Sequence, residues 1–237
     1  MTRISIIIPT YNEAKYIART LASIRRQGYG DAEVILADNF SDDGTRAVAR
    51  KAYPGIRIVV ERRRGIGRSC NTAARTARGS ILLFIDGDTA MEKGLLRAYD
   101  DCFARNGGVV AATGPIRPLE EATSGIRLGF WIVSVGLMRI FFALGKPSII
   151  GSNFAVRSRA FREVGGFYPK LQTYQDWDLS RRLCKVGRIA YISDAAVRTS
   201  IRRVKKWGMA KYFAYHFSNF VYYNLFHKAR SDYEFVR

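Results

Sequence analysis

The sequence is poor in acidic side chains and in cysteine. Its 237 residues contain 20 Asp and Glu against 39 Lys and Arg, which leaves a net charge of +19. Such an excess predicts an anionic partner, whether nucleic acid, nucleotide phosphates or lipid headgroups. The three cysteines, Cys70, Cys102 and Cys184, are far apart, so we expect reduced thiols rather than a disulfide framework or a zinc site.

The chain also lacks a long uninterrupted apolar segment. Residues 126–145 come closest, but Arg127 and Arg139 interrupt them, and a bilayer-spanning helix needs about 20 apolar residues. We therefore expect no membrane span. Residues 1–9 resemble a strand and do not predict a signal peptide. Without repeats or low-complexity tracts, the length favours one compact domain with appendages.

The first 90 residues alternate between short β-branched runs and segments whose apolar residues recur at helical spacing. Thr10 or Asn12 can cap the first of these helices. The alternation predicts a doubly wound, mostly parallel sheet, in which ligands bind beyond the carboxyl ends of the strands. The predicted strands are residues 4–8, 33–37, 56–61 and 81–85, and the predicted helices are residues 13–27, 44–52 and 69–77.

After residue 88 the pattern becomes mixed. A loop is expected between Pro115 and Pro118, and an irregular segment at residues 149–156, where a Gly-Ser-Asn sequence interrupts the apolar residues. The remaining predicted elements are a strand at residues 109–113 and helices at residues 92–104, 126–144 and 176–185.

A buried-looking strand ends abruptly in two carboxylates. The apolar run at residues 81–85 suits a strand covered on both faces, and Asp86, Gly87 and Asp88 follow it directly. Two carboxylates this close repel each other unless a cation joins them. Mg²⁺ or Mn²⁺ bridging to phosphate oxygens is the usual occupant of such a pair. A solvated turn after the strand is the alternative.

Several short motifs resemble those of family 2 glycosyltransferases. The resemblance extends over roughly residues 1–195 and implies the GT-A fold, with a nucleotide-binding half at residues 1–90 and an acceptor-binding half at residues 91–195. It also implies an inverting transferase that uses a nucleoside-diphosphate sugar. The motifs, in chain order, are SIIIPTYNE at residues 5–13, ADNFSDDGT at 37–45, DGD at 86–88, GGF at 165–167 and QDWDLS at 175–180.

The resemblance implies a nucleotide site and a metal site. Tyr11 would supply a flat face for the base, and Asp38 would accept a hydrogen bond from it. Asp86 would contact the ribose or the metal, and Asp88 would bind the Mg²⁺ or Mn²⁺ that is held by the diphosphate. The full set of implied nucleotide-binding residues is Pro9, Thr10, Tyr11, Glu13, Asp38, Asn39, Arg68, Asp86 and Gly87.

The resemblance also implies a catalytic base. Asp176 matches the second residue of the family's Glu-Asp pair and would take the proton of an attacking acceptor hydroxyl. A first-turn helix residue favoured by the helix dipole is the alternative. The chain departs from the family at Gln175, where the family has Glu, and at Arg198, where many members have a metal-binding His. Candidate acceptor or phosphate contacts are Asn153, Trp177 and Arg198.

Residues 196–237 form a basic and aromatic tail. Cations from Arg198 to Lys211 precede aromatic residues at helical spacing, which is typical of amphipathic helices at a membrane interface, although such a face can equally cover the domain's own core. We expect a protein held peripherally on the cytoplasmic face of an anionic membrane. The expected acceptor is a glycan linked to a lipid.

Two other functions are compatible with parts of this pattern. A polyprenyl phosphate could itself accept the sugar, in which case Asp176 would have little to deprotonate. A nucleic-acid-binding protein would explain the charge, but no nucleic-acid-binding motif accompanies it, and carboxylates at strand ends would repel a phosphate backbone. We therefore expect no nucleic-acid partner. The sequence does not choose between UDP and GDP as the donor nucleotide.

Overall fold

A computed structural model describes residues 3–226 except residue 172. Residues 227–237 of the predicted tail lie outside the described residues. The strands are β1 (Ile4–Thr10), β2 (Ala32–Asp38), β3 (Arg57–Val60), β4 (Ile81–Ile85), β5 (Thr89–Met91), β6 (Val109–Thr113), β7 (Ile116–Pro118), β8 (Asn153–Arg157), β9 (Arg188–Tyr191) and β10 (Val197–Thr199).

Seven strands form the central sheet in the order β3-β2-β1-β4-β8-β6-β9. Strand β8 is antiparallel to both of its neighbours, and the other strands of this sheet all run in one direction. A smaller sheet has the order β5-β10-β7. The predicted α/β class with a mostly parallel sheet and a mixed second half is therefore confirmed.

Helices cover both faces of the central sheet. The helices are α1 (Ile17–Arg25), α2 (Thr45–Ala52), α3 (Ile66–Thr76), α4 (Leu95–Arg105), α5 (Ser124–Trp131), α6 (Met138–Ala143), α7 (Ser158–Glu163), α8 (Gln175–Leu183), α9 (Arg202–Trp207) and α10 (Met209–Phe226). Helices α1, α2 and α4 contribute to the core on one face of the sheet, and α3, α7 and α8 contribute to the core on the other.

Strand β1 illustrates why the central strands are apolar throughout. Ile6 and Ile8 belong to the core under α1 and α4, whereas Ile7 belongs to the core under α3 and α8. All seven residues of β1 are buried. A strand that is covered on both faces has no solvent side, so its sequence shows a continuous apolar run rather than alternation.

The first helix begins later than the sequence indicated. It starts at Ile17 rather than near residue 13, and its N-cap, Tyr16, makes no side-chain capping bond. Asn12 has a positive φ of 58° and its side chain donates to Asp42 instead. The Thr10 hydroxyl donates to Asp38. Neither predicted cap acts as one, because both side chains bond to the loop that follows β2.

Two segments expected to be irregular contain strands. Ile116–Pro118 forms β7, since it pairs in parallel with β10. Asn153–Arg157 forms β8 between β4 and β6. Both pairings join segments that are distant in the sequence, so no local pattern indicates them.

One helix within the described residues is long and apolar enough to cross a membrane, by length and composition alone. It is the continuous 20-residue helix Ser124–Ala143, which joins α5 to α6 through the π-helical segment Ile132–Leu137. Arg127 and Arg139 do not interrupt it, contrary to our expectation, because both side chains lie on its exposed face. Only 22% of its apolar window is buried.

Candidate functional site

Most of the nucleotide-site and metal-site residues lie at one edge of the central sheet. Thr10 ends β1 and pairs in register with Asp38, which ends β2. Asp86 follows the last residue of β4, the strand on the other side of β1. The carboxyl ends of parallel strands meet at the same edge, where α/β sheets bind ligands.

Asp38 and Asn39 organise the loops at this edge. The Asp38 carboxylate is fully buried and accepts hydrogen bonds from the Ser41 hydroxyl at 2.5 Å and the Ser41 amide at 3.1 Å. The Asn39 amide donates to the carbonyls of Glu61 and Arg63, and its oxygen accepts from the Gly65 amide. These side chains thus tie the end of β2 to the loop before α3.

Cations border the predicted base-binding face. The Arg64 guanidinium lies 3.8 Å from the centroid of the Tyr11 ring, a cation–π distance. Arg64 was not among the candidate residues, because one arginine of the run at residues 62–64 cannot be singled out from the sequence. Arg68, the predicted phosphate partner, is half-buried near the start of α3.

Glycine is required between the two carboxylates. A Cβ on Gly87 would lie 2.8 Å from Cγ2 of Thr10 and 3.1 Å from Cγ of Glu13. The Gly87 carbonyl also accepts a hydrogen bond from the buried Thr20 hydroxyl at 2.8 Å. The turn carrying the acidic pair is therefore packed directly against the loop that follows β1.

Arg202 of the tail lies among Glu13, Asp86 and Asp88, which together form an acidic cluster. The Arg202 guanidinium donates to both oxygens of Glu13, at 2.9 and 2.5 Å, and lies 3.1 Å from Asp88. The small sheet holds Arg202 in this position. Its strand β10 pairs with β5, which directly follows Asp88, and the Ser200 amide donates to the Asp88 carbonyl. The sequence shows the basic run around residue 202 but not which residues these cations contact.

Burial and mutual repulsion make these carboxylates hard to ionise. Burial, together with the neighbouring charges of Asp88 and Glu13, raises the pKa of Asp86 to about 7. Burial also raises the pKa of Asp88, against the opposing effect of Arg202 and Arg203. The pKa of Glu13 is raised by burial as well, although its bonds to Arg202 lower it. Added positive charge at this point would favour the ionised forms.

The donor set suits a cation that is completed by phosphate oxygens. The described residues contain no group of three or more His, Cys, Asp or Glu side chains that could hold a metal ion without other ligands. Asp86 and Asp88 are hard oxygen donors, and Mg²⁺ is commonly bound through one or two carboxylates plus substrate phosphates. The acidic pair fits that arrangement.

Asp176 lies at the same edge of the sheet as the acidic pair. Its carboxylate accepts from the Gly151 amide at 3.2 Å. Gly151 lies two residues before Asn153, which pairs with Ile85, the residue just before Asp86. Adjacent strands are only about 4.8 Å apart. Asp176 is thus held near the end of β8, the strand beside the one that Asp86 follows, and burial raises the pKa of its carboxyl.

Tyr212 of α10 provides a second link between the carboxylates. Burial raises the pKa of Tyr212, and the charges of Asp176, Asp86 and Asp88 raise it further. The phenol therefore lies within electrostatic range of all three. Sequence analysis placed Tyr212 only in the aromatic tail.

The GGF and QDWDLS motifs pack the start of α8 against α3. The Asn71 side chain donates to the Phe167 carbonyl and accepts from the Phe167 amide, both below 3.0 Å. Gly166 has a φ of 67°, and a Cβ there would lie 2.6 Å from the Asn71 side-chain oxygen. A Cβ on Gly67 would lie 2.8 Å from the Gln175 oxygen. These contacts position Asp176, the residue after Gln175.

One of the acceptor or phosphate candidates is corrected by the structure. Asn153 is fully buried, accepts from the Tyr99 hydroxyl, and donates to the carbonyls of Pro115 and Ala195, so no acceptor can reach it. Arg198 is exposed and pairs with Glu92 at 3.0 Å. The third candidate, Trp177, is half-buried beside Asp176.

Two solved structures share this fold. The mannosyltransferase PcManGT from Pyrobaculum calidifontis, solved with GDP-Man and Mn²⁺, matches with a TM-score of 0.71 and 24% identity, over 91% of this chain and 64% of that one. TarS 1-349 from S. aureus in complex with UDP-GlcNAc matches with a TM-score of 0.69 and 20% identity, over 84% of this chain and 58% of that one. The fold class is that of these glycosyltransferases.

The family follows from the sequence. The chain belongs to glycosyl transferase family 2, whose family model matches residues 5–165. Among curated relatives, the glycosyltransferase AglE of Haloferax volcanii is 40% identical over 196 residues, which cover 78% of this chain and 62% of the relative. A chondroitin synthase of Escherichia coli is 27% identical over 197 residues, covering 80% of this chain and 28% of the relative. The chain thus spans less than two thirds of the length of either.

Proposed function

We propose that the chain transfers a sugar from a nucleoside-diphosphate sugar to an acceptor hydroxyl, with inversion at the anomeric carbon. The observation that carries this proposal is the position of Asp176 at the sheet edge that carries Asp86 and Asp88, given by its bond to Gly151 and the pairing of β8 with β4. Family membership supports sugar transfer as the reaction. The structural neighbours solved with GDP-Man and Mn²⁺ and with UDP-GlcNAc support such donors.

In this mechanism the carboxyl edge of the sheet binds the donor. Pro9, Thr10 and Tyr11 border the base, and the Asp38 and Asn39 hydrogen bonds hold the loops around it in place. Asp86 and Asp88 would hold Mg²⁺ or Mn²⁺ against the diphosphate, where the cation would stabilise the charge that develops on the leaving group. Arg202 contributes positive charge to the same cluster.

Asp176 acts as the general base. Its carboxylate removes the proton from the acceptor hydroxyl as the oxygen attacks the anomeric carbon from the side opposite the diphosphate. The backbone amides of Gly151 and Trp177 donate to it at 3.2 and 2.9 Å and hold its orientation. The raised pKa makes it a stronger base than an exposed aspartate.

We further propose that the acceptor is carried on a lipid at the cytoplasmic face of a membrane. Helix α10 exposes apolar side chains and buries polar ones, the reverse of what is usual for a helix on the surface of a water-soluble protein. Asn219 and Tyr223 are buried, whereas Phe217, Val221 and Leu225 are exposed. Exposed apolar residues of Ser124–Ala143, such as Leu128 and Trp131, add to this surface. The chain's charge of +19 favours anionic lipids.

A thermal-shift measurement tests the donor site. UDP or GDP at about 100 times its Kd, together with Mn²⁺ or Mg²⁺, should raise the Tm by about 5–10 °C. Nucleotide or metal ion by itself should give a much smaller shift. The Asp88→Ala variant should lose the combined shift, and Asp101→Ala, which removes an exposed carboxylate of α4, should retain it. A combined shift that survives in Asp88→Ala contradicts the proposed metal site.

A further inference from the structure

A cavity lies outside the cluster of Glu13, Asp86 and Asp88. Its volume is about 480 Å³, and it is formed by residues 145–147, the exposed side of α8 and Tyr223 of α10. Asp86 and Asp88 are not part of its lining. The first α8 residue that lines it is Trp177, which directly follows Asp176. The cavity lining and the proposed base are thus carried by consecutive residues of α8.

The lining of the cavity carries an excess of positive charge. Lys146, Arg181, Arg182 and Lys185 face one carboxylate, that of Asp178. That carboxylate is already satisfied: Arg182 donates to one of its oxygens at 3.0 and 2.5 Å, and the Tyr223 hydroxyl donates to the other at 3.0 Å. The charges of Lys146, Arg181 and Lys185 are consequently not balanced within the lining. This arrangement is suited to a multiply charged anion.

A buried donor in the lining is left without an acceptor. The indole nitrogen of Trp177 is inaccessible to solvent and has no hydrogen-bond partner among the described residues. The ring is held by edge contacts with Phe141 and Phe220, at centroid distances of 5.4 and 5.2 Å. Buried donors are normally paired, so a ligand oxygen would satisfy this one.

Exposed apolar side chains flank the same cavity. Leu144, 66% exposed, precedes the lining residue Gly145, and Phe226, 58% exposed, lies three residues after Tyr223 on the same side of α10. A free inorganic anion would gain nothing from these side chains. A phosphate ester that carries a hydrocarbon chain would bury them. The combination of cations and exposed apolar residues therefore favours an amphipathic phosphate ester.

We propose that this cavity binds the phosphate groups of the lipid-linked acceptor, with the lipid chain lying along Leu144 and Phe226. The proposal rests on the proposed function, since it names the class of acceptor used by the same site. Lys146, Arg181 and Lys185 neutralise the phosphates, and the Trp177 indole donates to one phosphate oxygen. The sugar attached to those phosphates is then presented to Asp176, one residue away.

Calorimetric titration with farnesyl diphosphate, below its micellar concentration and without divalent metal, tests this site. The wild-type protein should bind farnesyl diphosphate at least tenfold more tightly than inorganic diphosphate or farnesol. The Arg181→Gln/Lys185→Gln variant should bind it at least tenfold more weakly than the wild type. The matched Arg50→Gln/Lys51→Gln variant, which removes the same charge from the exposed side of α2, should bind within twofold of the wild type.

Each of the following outcomes would overturn the proposal. Equal weakening in the two double variants would mean that only net charge matters. Equally tight binding of inorganic and farnesyl diphosphate would mean a site for free anions. A third arm uses phosphatidylglycerol vesicles: if the cavity variant loses vesicle binding but keeps farnesyl diphosphate, the cations serve the membrane surface and the proposal is wrong.

Further measurements separate this proposal from folding defects and from the proposed function. Trp177→Phe keeps the ring packing and removes the indole donor, so it should weaken farnesyl diphosphate binding without lowering the Tm. The Arg181→Gln/Lys185→Gln variant should retain the nucleotide-and-metal thermal shift. Loss of that shift in the wild-type protein would refute the donor site, whereas failure of farnesyl diphosphate to bind would refute only the cavity.

Discussion

The loops that follow β1 and β2 and the helices near the C-terminus satisfy their polar groups in different ways. In the loops, side chains such as Asp38, Asn39 and Asn12 bond to neighbouring backbone and side chains within the chain. Around α8 and α10, the Trp177 donor lacks an acceptor among the described residues and Phe217 is 70% exposed. The first region is shaped before any ligand arrives, and the second has groups that a ligand or surface would complete.

The largest expected effect is on catalysis. Asp176→Asn should lower kcat by about 10²- to 10⁴-fold, since it removes the general base but keeps the size of the side chain. Donor binding depends on the loops that follow β1 and β2, so the thermal shift with nucleotide and metal should be unchanged in this variant. If kcat changes less than about threefold, the acceptor does not need deprotonation, and a phosphate acceptor is favoured.

The next largest effect is on folding stability, and it is expected to differ between Arg202 and Arg198. Arg202→Gln leaves Glu13 and Asp88 without their partner and should cost about 2 kcal/mol, between the values for exposed and buried pairs. Mn²⁺ without nucleotide should then stabilise this variant more than it stabilises the wild type, because the cation replaces the lost charge.

The control for that comparison is Arg198→Gln. Its pair with Glu92 is exposed, so its loss should cost less than about 1 kcal/mol, and Mn²⁺ should have no added effect. Urea denaturation of the two variants with and without Mn²⁺ measures both differences. Equal losses in the two variants would mean that Arg202 has no special relation to the acidic cluster.

A smaller effect is expected in the pH dependence of stability. Burial raises the pKa of Asp176 in the folded protein above the value of about 3.9 for an unfolded chain. The carboxyl therefore favours folding when protonated, and this contribution is lost as the pH rises through the raised pKa. Asp176→Asn, which is neutral throughout, should gain stability relative to the wild type as the pH increases above about 4.

Urea midpoints of the two proteins across a pH series measure this difference. Contributions from Asp86, Asp88 and Glu13 are common to both proteins and cancel in the comparison. A stability difference that does not change with pH would show that the Asp176 carboxyl is not desolvated in the folded protein.

The smallest effect on stability should accompany a clear effect on membrane binding. Phe217→Gln alters an exposed side chain of α10, so the free energy of unfolding should change by less than about 0.5 kcal/mol. Binding to anionic vesicles should weaken by about tenfold, since a Phe side chain that enters an apolar phase gains about 1.5–3 kcal/mol. Tyr168→Gln, at a half-exposed position of similar size outside α10, should leave vesicle sedimentation unchanged.

Much of the first half could be predicted because its signals are local. The run at residues 81–85 is apolar throughout, and β4 has the predicted bounds. Asp86 and Asp88 were recognisable because they follow that strand directly. The fold then places them with Thr10 and Asp38, as expected for carboxyl ends of parallel strands. Their proposed roles in binding remain predictions.

The errors occurred where a residue's role depends on a distant partner. Asn153 looked like a polar loop residue, but its partners include Tyr99, 54 residues away, and they make it part of the core. Arg202 contacts Glu13 across 189 residues of sequence, so composition could show only that cations were present. Arg127 and Arg139 looked like interruptions of an apolar segment, yet a helix can carry cations on an exposed face without ending.

The amino-acid sequence by itself determined the strand and helix alternation of the first half, the family and the acidic turn, because apolar runs and short motifs act over a few residues. Only the tertiary structure decided which charge lies against that turn, which way α10 faces and where the basic cavity forms. Those features arise when long-range strand pairing brings Ser200 beside Asp88 and when α10 packs against α8. Such contacts depend on the whole fold rather than on neighbouring residues.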